Sequence, residues 1–153
     1  MGHVNYDRID VLEPGWGTIW QGGDIDASID QPPFADPMLV IDMDPVTNDQ
    51  YINHEVVEAV LAVWIQDSPT ACLKDGVLLG LGQMAVAWLK GGGNCYVHCQ
   101  EGISRASYMD VTIHCLALSI SAVTALARIK AERPIADPNP GFWAQLQRLF
   151  PSS

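Results

Sequence analysis

An α/β fold of three layers, a central and mostly parallel sheet with helices on both faces, is predicted by three observations. Met38-Leu39-Val40-Ile41-Asp42 and Cys95-Tyr96-Val97-His98 are short apolar runs of the kind that form strands buried on both faces. Asp75 to Lys90 reads as a helix, with Leu78, Leu81, Ala85 and Trp88 on one face and Gly91-Gly92-Gly93 at its end. From Asp75 onward the order is helix, strand, glycine-containing loop, helix, the alternation from which parallel sheets are built.

The elements follow in order. Thr18-Ile19-Trp20-Gln21, bounded by glycines, is the first strand candidate. The Pro-rich stretch Gln31 to Pro37 separates it from Met38, and Asp44 to Asp49 is loop. Val60 to Ile65 suits a strand buried on both faces and stopped by Gln66-Asp67-Ser68-Pro69, while Glu55 to Ala59 leave a helix open. Asp75 is a candidate N-cap for the first helix, which Gly80 and Gly82 weaken. After His98, a loop containing Gly102 leads into a helix with Met109, Thr112, Ile113 and Leu116 at helical spacing. Ser121 can cap a further helix from Ala122 to about Glu132, which must stop before Pro134. Asn139, with Pro140 at the first helical position, opens the last helix and turns Phe142, Leu146, Leu149 and Phe150 to the core. The five tryptophans are core residues by default, except that Trp64, beside the loop at Asp67, can line a pocket.

The chain of 153 residues shows no repeat, low-complexity tract or linker, so residues 1–153 are expected to form a single domain. Apolar residues at 48% and charged residues at 17% are globular composition. The formal charge of −10, with only 8 Lys and Arg, argues against nucleic acid or an anionic membrane as partner, since both are bound through basic side chains. The N-terminal residues carry no apolar h-region and no long apolar run follows, so a cytoplasmic monomer is expected. Four irregularly spaced cysteines, Cys72, Cys95, Cys99 and Cys115, read as free thiols.

The chemistry concentrates in Val97-His98-Cys99-Gln100-Glu101-Gly102-Ile103-Ser104-Arg105-Ala106-Ser107, between a buried strand and a helix N-terminus. Successive backbone N–H groups curled at such a terminus form a nest for phosphate, and the helix dipole adds partial positive charge. The same field favours Cys99 as a thiolate nucleophile. Arg105, six positions on, can fold back and grip two phosphoryl oxygens with its planar fork, which Lys cannot do. The competing readings are a buried structural thiol beside a solvated arginine, and a metal site from Cys95, His98 and Cys99, which strand geometry disfavours because His98 points away from the two cysteines.

His98-Cys99-Gln100-Glu101-Gly102-Ile103-Ser104-Arg105 resembles the His-Cys-x5-Arg signature of the dual-specificity protein tyrosine phosphatases, including the Gly and the Ser before Arg. Thr18 to Gly23 followed by Ala27 looks like that family's opening strand. Arg133-Pro134 through Pro138-Asn139-Pro140-Gly141-Phe142, with Gln145-Leu146, is similar to its closing pattern. The resemblance implies a protein tyrosine phosphatase-like fold and a phosphocysteine intermediate on Cys99. It also implies that Gln100, Glu101, Gly102, Ile103, Ser104 and Arg105 bind the phosphate. One departure is Ala106, where the family usually has a Ser or Thr whose hydroxyl stabilises the leaving thiolate. A phosphate-binding pseudophosphatase is therefore the alternative reading, with a sulfur transferase or arsenate reductase behind it.

Expelling an alkoxide or phenolate calls for a proton donor. The family supplies an Asp roughly thirty residues before the nucleophile, and Asp67 lies at that spacing, with Asp75, Asp44 and Asp49 as lesser candidates. His98 is expected to support the loop by bonding backbone, and Asn139 and Ser104 to brace it. His54 and His114 read as core or surface residues, and Cys72 is the only cysteine placed to pair with Cys99. No metal or organic cofactor is required, and the expected substrate is a phosphorylated protein, because Gln100, Glu101 and Ile103 include no Lys to attract a polyanionic head group.

Overall fold

The computed structural model describes residues 5–24, 36–45 and 55–153. Five strands make one sheet: β1 (Tyr6–Val11), β2 (Thr18–Gly22), β3 (Met38–Asp42), β4 (Val57–Ala62) and β5 (Asn94–His98). Helix α1 (Asp75–Lys90) precedes β5, and α2 (Arg105–Leu118), α3 (Ala122–Glu132) and α4 (Pro140–Leu149) follow it. The strand order is β1-β2-β5-β3-β4, parallel throughout except for antiparallel β1. β5, last in sequence, is thus inserted between β2 and β3. Its C-terminal end opens at the middle of the sheet, where ligands of α/β proteins commonly bind.

Alternation along the strands divides the core. Ile19, Leu39, Ile41, Cys95 and Val97 face a large cluster with Leu78, Ala85 and Leu89 of α1, Met109 and Ile113 of α2, Ala125 and Ile129 of α3, and Phe142 and Leu146 of α4. Met38, Val40 and Tyr96 face the other way, against Tyr6, Trp20, Val56 and Val57. Helices on both faces were expected; among the described residues all four pack on the first. Ala27, Asp49 and His54, each singled out in the sequence, lie outside the described residues.

Helix α2 runs through the centre of the helical layer, and every residue from Ala106 to Cys115 is buried. Gly82, which weakens α1 in propensity, is explained by this packing: a Cβ there would meet Thr112 Cγ2 and Leu116 Cδ1 at 2.8 Å. The capping expectations at the other helices coincide with the structure. Ser121 Oγ accepts from Thr124 N–H, and Asn139 Oδ1 accepts from Phe142 N–H.

Three local expectations need correction. β4 spans Val57–Ala62 instead of Val60–Ile65 and is half-exposed, with Val60 42% exposed, because it is the edge of the sheet. Asp75 is the first residue of α1 and does not cap it; Lys74 occupies the N-cap without a side-chain bond. β1 was not foreseen at all, since Tyr6-Asp7-Arg8-Ile9-Asp10-Val11 carries only one fully buried apolar side chain, Ile9.

Candidate active site

The loop after β5 is held by its carbonyls. His98 O accepts from Met43 N–H at 2.8 Å, Gln100 O from Asp24 N–H at 3.1 Å, and Ile103 O from Asp137 N–H at 2.9 Å. Glu101 O accepts from Asn5 Nδ2 and Arg133 Nη2, both at 3.1 Å. Gly102 O accepts from Gln21 Nε2 at 3.1 Å and Arg133 Nε at 2.9 Å. Ser104 O accepts from Tyr108 N–H inside α2. In a planar trans peptide the N–H points opposite to the carbonyl. The outward carbonyls of Gln100 to Ile103 therefore turn the N–H groups of Glu101 to Ser104 inward, as an anion nest requires, while the Cys99 N–H donates to Gly22 O at 3.4 Å. Gly102 closes the ring with φ +71°, where a Cβ would lie 2.3 Å from the Gly22 carbonyl carbon.

Cys99 sits at the start of this loop, 3% exposed, and its Sγ accepts from Ala106 N–H at 3.4 Å. Arg105 is the first residue of α2. Its Nη1 donates to Asp44 Oδ1 at 3.2 Å and to Ile65 O at 3.3 Å, while its buried Nε has no acceptor. An orphaned buried guanidinium N–H is costly unless an anion completes it. Asp44, weighed as an acid from the sequence, is instead the carboxylate that holds Arg105, and it is 8% exposed.

Asp67 is exposed and reaches the loop from outside. Its Oδ1 accepts from Ser104 Oγ at 2.6 Å and Asn139 Nδ2 at 2.9 Å. Ser104 Oγ also accepts from Asn139 N–H at 2.9 Å. Ser104 and Asn139 therefore fasten Asp67 to both the loop after β5 and the N-terminus of α4, with Oδ1 taking both bonds. Asp75, one of the lesser acid candidates, is committed elsewhere. Bonds from Arg148 and Gln145 hold its carboxyl well below the usual carboxylate range, at about 2. Asp67 is further steadied through the segment that follows it: Leu73 N–H donates to Tyr108 Oη, Tyr108 Oη donates to Gln145, and Gln145 Nε2 donates to Leu73 O.

His98 is fully buried and supports the loop differently than expected. It contacts the Cys99 carbonyl at 3.4 Å, but its closer partner is Asp24 Oδ1 at 3.2 Å, with Asp42 Oδ1 3.6 Å from its other nitrogen. Burial raises the Asp42 carboxyl above its ordinary value, an effect partly offset by His98. The ligand atoms of Asp24, Asp42 and His98 lie within 4.8 Å of one another, a donor set a cation could use. Cys95, in contrast, packs on the helical side of the sheet, while His98 stacks on Tyr96 on the other side. All four cysteines are free, and Cys72 Sγ donates to Gly141 O.

Two residues of the site were missed in the sequence. Arg133, seen there only as part of a closing pattern, is 2% exposed and joins the loop to the first strand through Asp7 and Asn5. Gln21 reaches from β2 to Gly102 O and to Ser107 Oγ. A charged residue followed by Pro at a helix end is a weak signal for the first, and a polar residue within an apolar strand is one for the second.

No protein-family model matches the sequence. Over 62 residues the chain is 39% identical to dual specificity phosphatase 28 of Homo sapiens, covering 40% of this chain and 35% of that protein. Over 58 residues it is 46% identical to dual specificity protein phosphatase 15 of Mus musculus, covering 38% of this chain and 25% of that protein. The matched stretches thus span about a third or less of these two curated relatives. Among solved structures, a tyrosine-to-histidine variant of human DUSP28 superposes with TM-score 0.65 at 30% identity, over 72% of this chain and 73% of that one. The chain belongs to the dual-specificity phosphatase family. A mouse putative dual specificity phosphatase complexed with zinc tungstate gives TM-score 0.75 at 25% identity, over 96% of this chain and 87% of that one. Set against this family's signature, Cys99 and Arg105 bound the loop that follows β5, and Asp67 is tied to that loop through Ser104.

Proposed function

We propose that this chain is a cysteine-dependent phosphatase acting on phosphotyrosine, and on phosphoserine and phosphothreonine, in proteins. The observation that carries the reading is the nest itself: carbonyls tied outward around Cys99, with an unpartnered buried Nε on Arg105. Cys99 Sγ attacks phosphorus while Asp67 gives its proton to the leaving oxygen, forming phosphocysteine and the free hydroxyl. Water, giving a proton back to Asp67, then releases inorganic phosphate and the thiolate. Arg105 and the loop N–H groups stabilise the equatorial oxygens through both steps. The mouse relative's tungstate, a tetrahedral oxyanion of phosphate-like shape and charge, is consistent with such a nest. The free cysteines and the charge of −10 support a monomeric enzyme of the cytosol that acts on phosphoproteins, not on nucleic acid or membranes.

Hydrolysis of p-nitrophenyl phosphate against pH tests this for the parent, Cys99→Ser and Asp67→Ala. The parent turns over without added metal, Cys99→Ser is inert, and Asp67→Ala loses about a hundredfold with a flattened basic limb. An inert parent that still binds vanadate would make the chain a phosphate-binding pseudophosphatase.

A further inference from the structure

Trp16, Trp20, Trp88 and Trp143 are partly buried against the core clusters, whereas Trp64 is 72% exposed. An indole offers a large apolar area, and Trp64 is the one of the five that the fold presents to solvent. The backbone on either side fixes its place. Val63 is buried and donates its N–H to Asp42 O at 2.9 Å, and Ile65 O accepts from Arg105 Nη1 at 3.3 Å. With its neighbours pinned inward, Trp64 is turned out. The ring stands as one wall of a cleft of about 340 Å³, with Pro45 and Ile65 as further apolar walls and Arg105 as its only cation among the described residues.

We propose that Trp64 is the platform for the aromatic ring of the substrate, making the site selective for aryl over alkyl phosphate esters, phosphotyrosine over phosphothreonine. The inference rests on the phosphatase reading and sharpens it. Arg105 joins the loop of Cys99 to this cleft, so an ester group on a phosphoryl held by Arg105 is within reach of the indole, where a tyrosyl ring can stack and a threonyl carbon chain presents no π face. The volume lies at the small end for ligand sites and suits one ring, not a head group carrying several phosphates. Charge points the same way: a second phosphate would meet Asp44, with no further Lys or Arg lining the cleft.

The test uses the full chain as Cys99→Ser, which keeps the nest, titrated by calorimetry with two peptides of one sequence bearing phosphotyrosine or phosphothreonine. Phosphotyrosine binds about tenfold tighter. Adding Trp64→Ala reduces that ratio to about one, while Trp64→Phe keeps most of it. A ratio unchanged by Trp64→Ala, or both peptides weakened equally, overturns the assignment while inorganic phosphate binding upholds the nest. Loss of inorganic phosphate binding in Cys99→Ser together with an inert parent overturns the phosphatase reading and this inference with it.

Discussion

At Ala106 the site departs from the pattern it resembles by one oxygen atom. The residue is fully buried, and its backbone N–H already donates to Cys99 Sγ at 3.4 Å. A thiolate leaving phosphocysteine gains from each further donor, because hydrogen bonds to charged groups contribute about 1.5–3 kcal/mol. Ser107, one position on, does not substitute: its Oγ donates to Ile103 O and accepts from Gln21 Nε2. On the proposed mechanism, breakdown of phosphocysteine is therefore the slow step. Stopped-flow assays with p-nitrophenyl phosphate should show a burst of one product equivalent in the parent. Ala106→Ser should abolish the burst and raise the steady rate about tenfold. An unchanged steady rate would mean that the single backbone donor suffices.

Between elements, Arg133 at the end of α3 determines how firmly the loop is backed. Its guanidinium serves Gly102 O, Glu101 O, Asn5 and Asp7, joining the loop to β1. A Lys cannot reach these acceptors with one point charge. Arg133→Met should lower unfolding stability by about 2–3 kcal/mol in urea titration, less than a fully buried pair because Asp7 is partly exposed. It should also weaken vanadate inhibition, since the Glu101 and Gly102 carbonyls lose their anchor. Equal vanadate affinity would separate loop geometry from this arginine. The same residue shows what the sequence makes legible. Ser121, Asn139 and the Cys99-to-Arg105 spacing act over three to six positions, so their chemistry can be read where it stands. Arg133 meets Asp7 and Asn5 across 126 and 128 positions, and such pairings exist only once the sheet has assembled. The exposed edge position of β4 and the partnering of Asp44 with Arg105 were hidden for the same reason.

Across the whole molecule, the helical layer encloses an ionisable pair that the proposed chemistry does not use. His114 and Asp110, one turn apart on α2, are both fully buried, with Nδ1 2.8 Å from Oδ1. Burial alone would push the imidazole down, but the Asp110 carboxylate and its hydrogen bonds outweigh this, and the folded value lies above 6.5. Arg128 on α3 opposes only weakly. A histidine that keeps its proton longer in the folded state contributes stability that is complete below the unfolded value. That contribution is lost as pH rises through the folded value. Cys95 and Cys115, both raised by burial, add a loss of the same sign only near and above their ordinary value of 9.0, when the unfolded thiols ionise. The window from about pH 6 to 8 therefore reports mainly on histidine. Urea midpoints should fall across it in the parent. His114→Gln, though less stable at every pH because Asp110 is left without its partner, should show a flatter slope. A parallel slope in the variant would place the titration outside this pair.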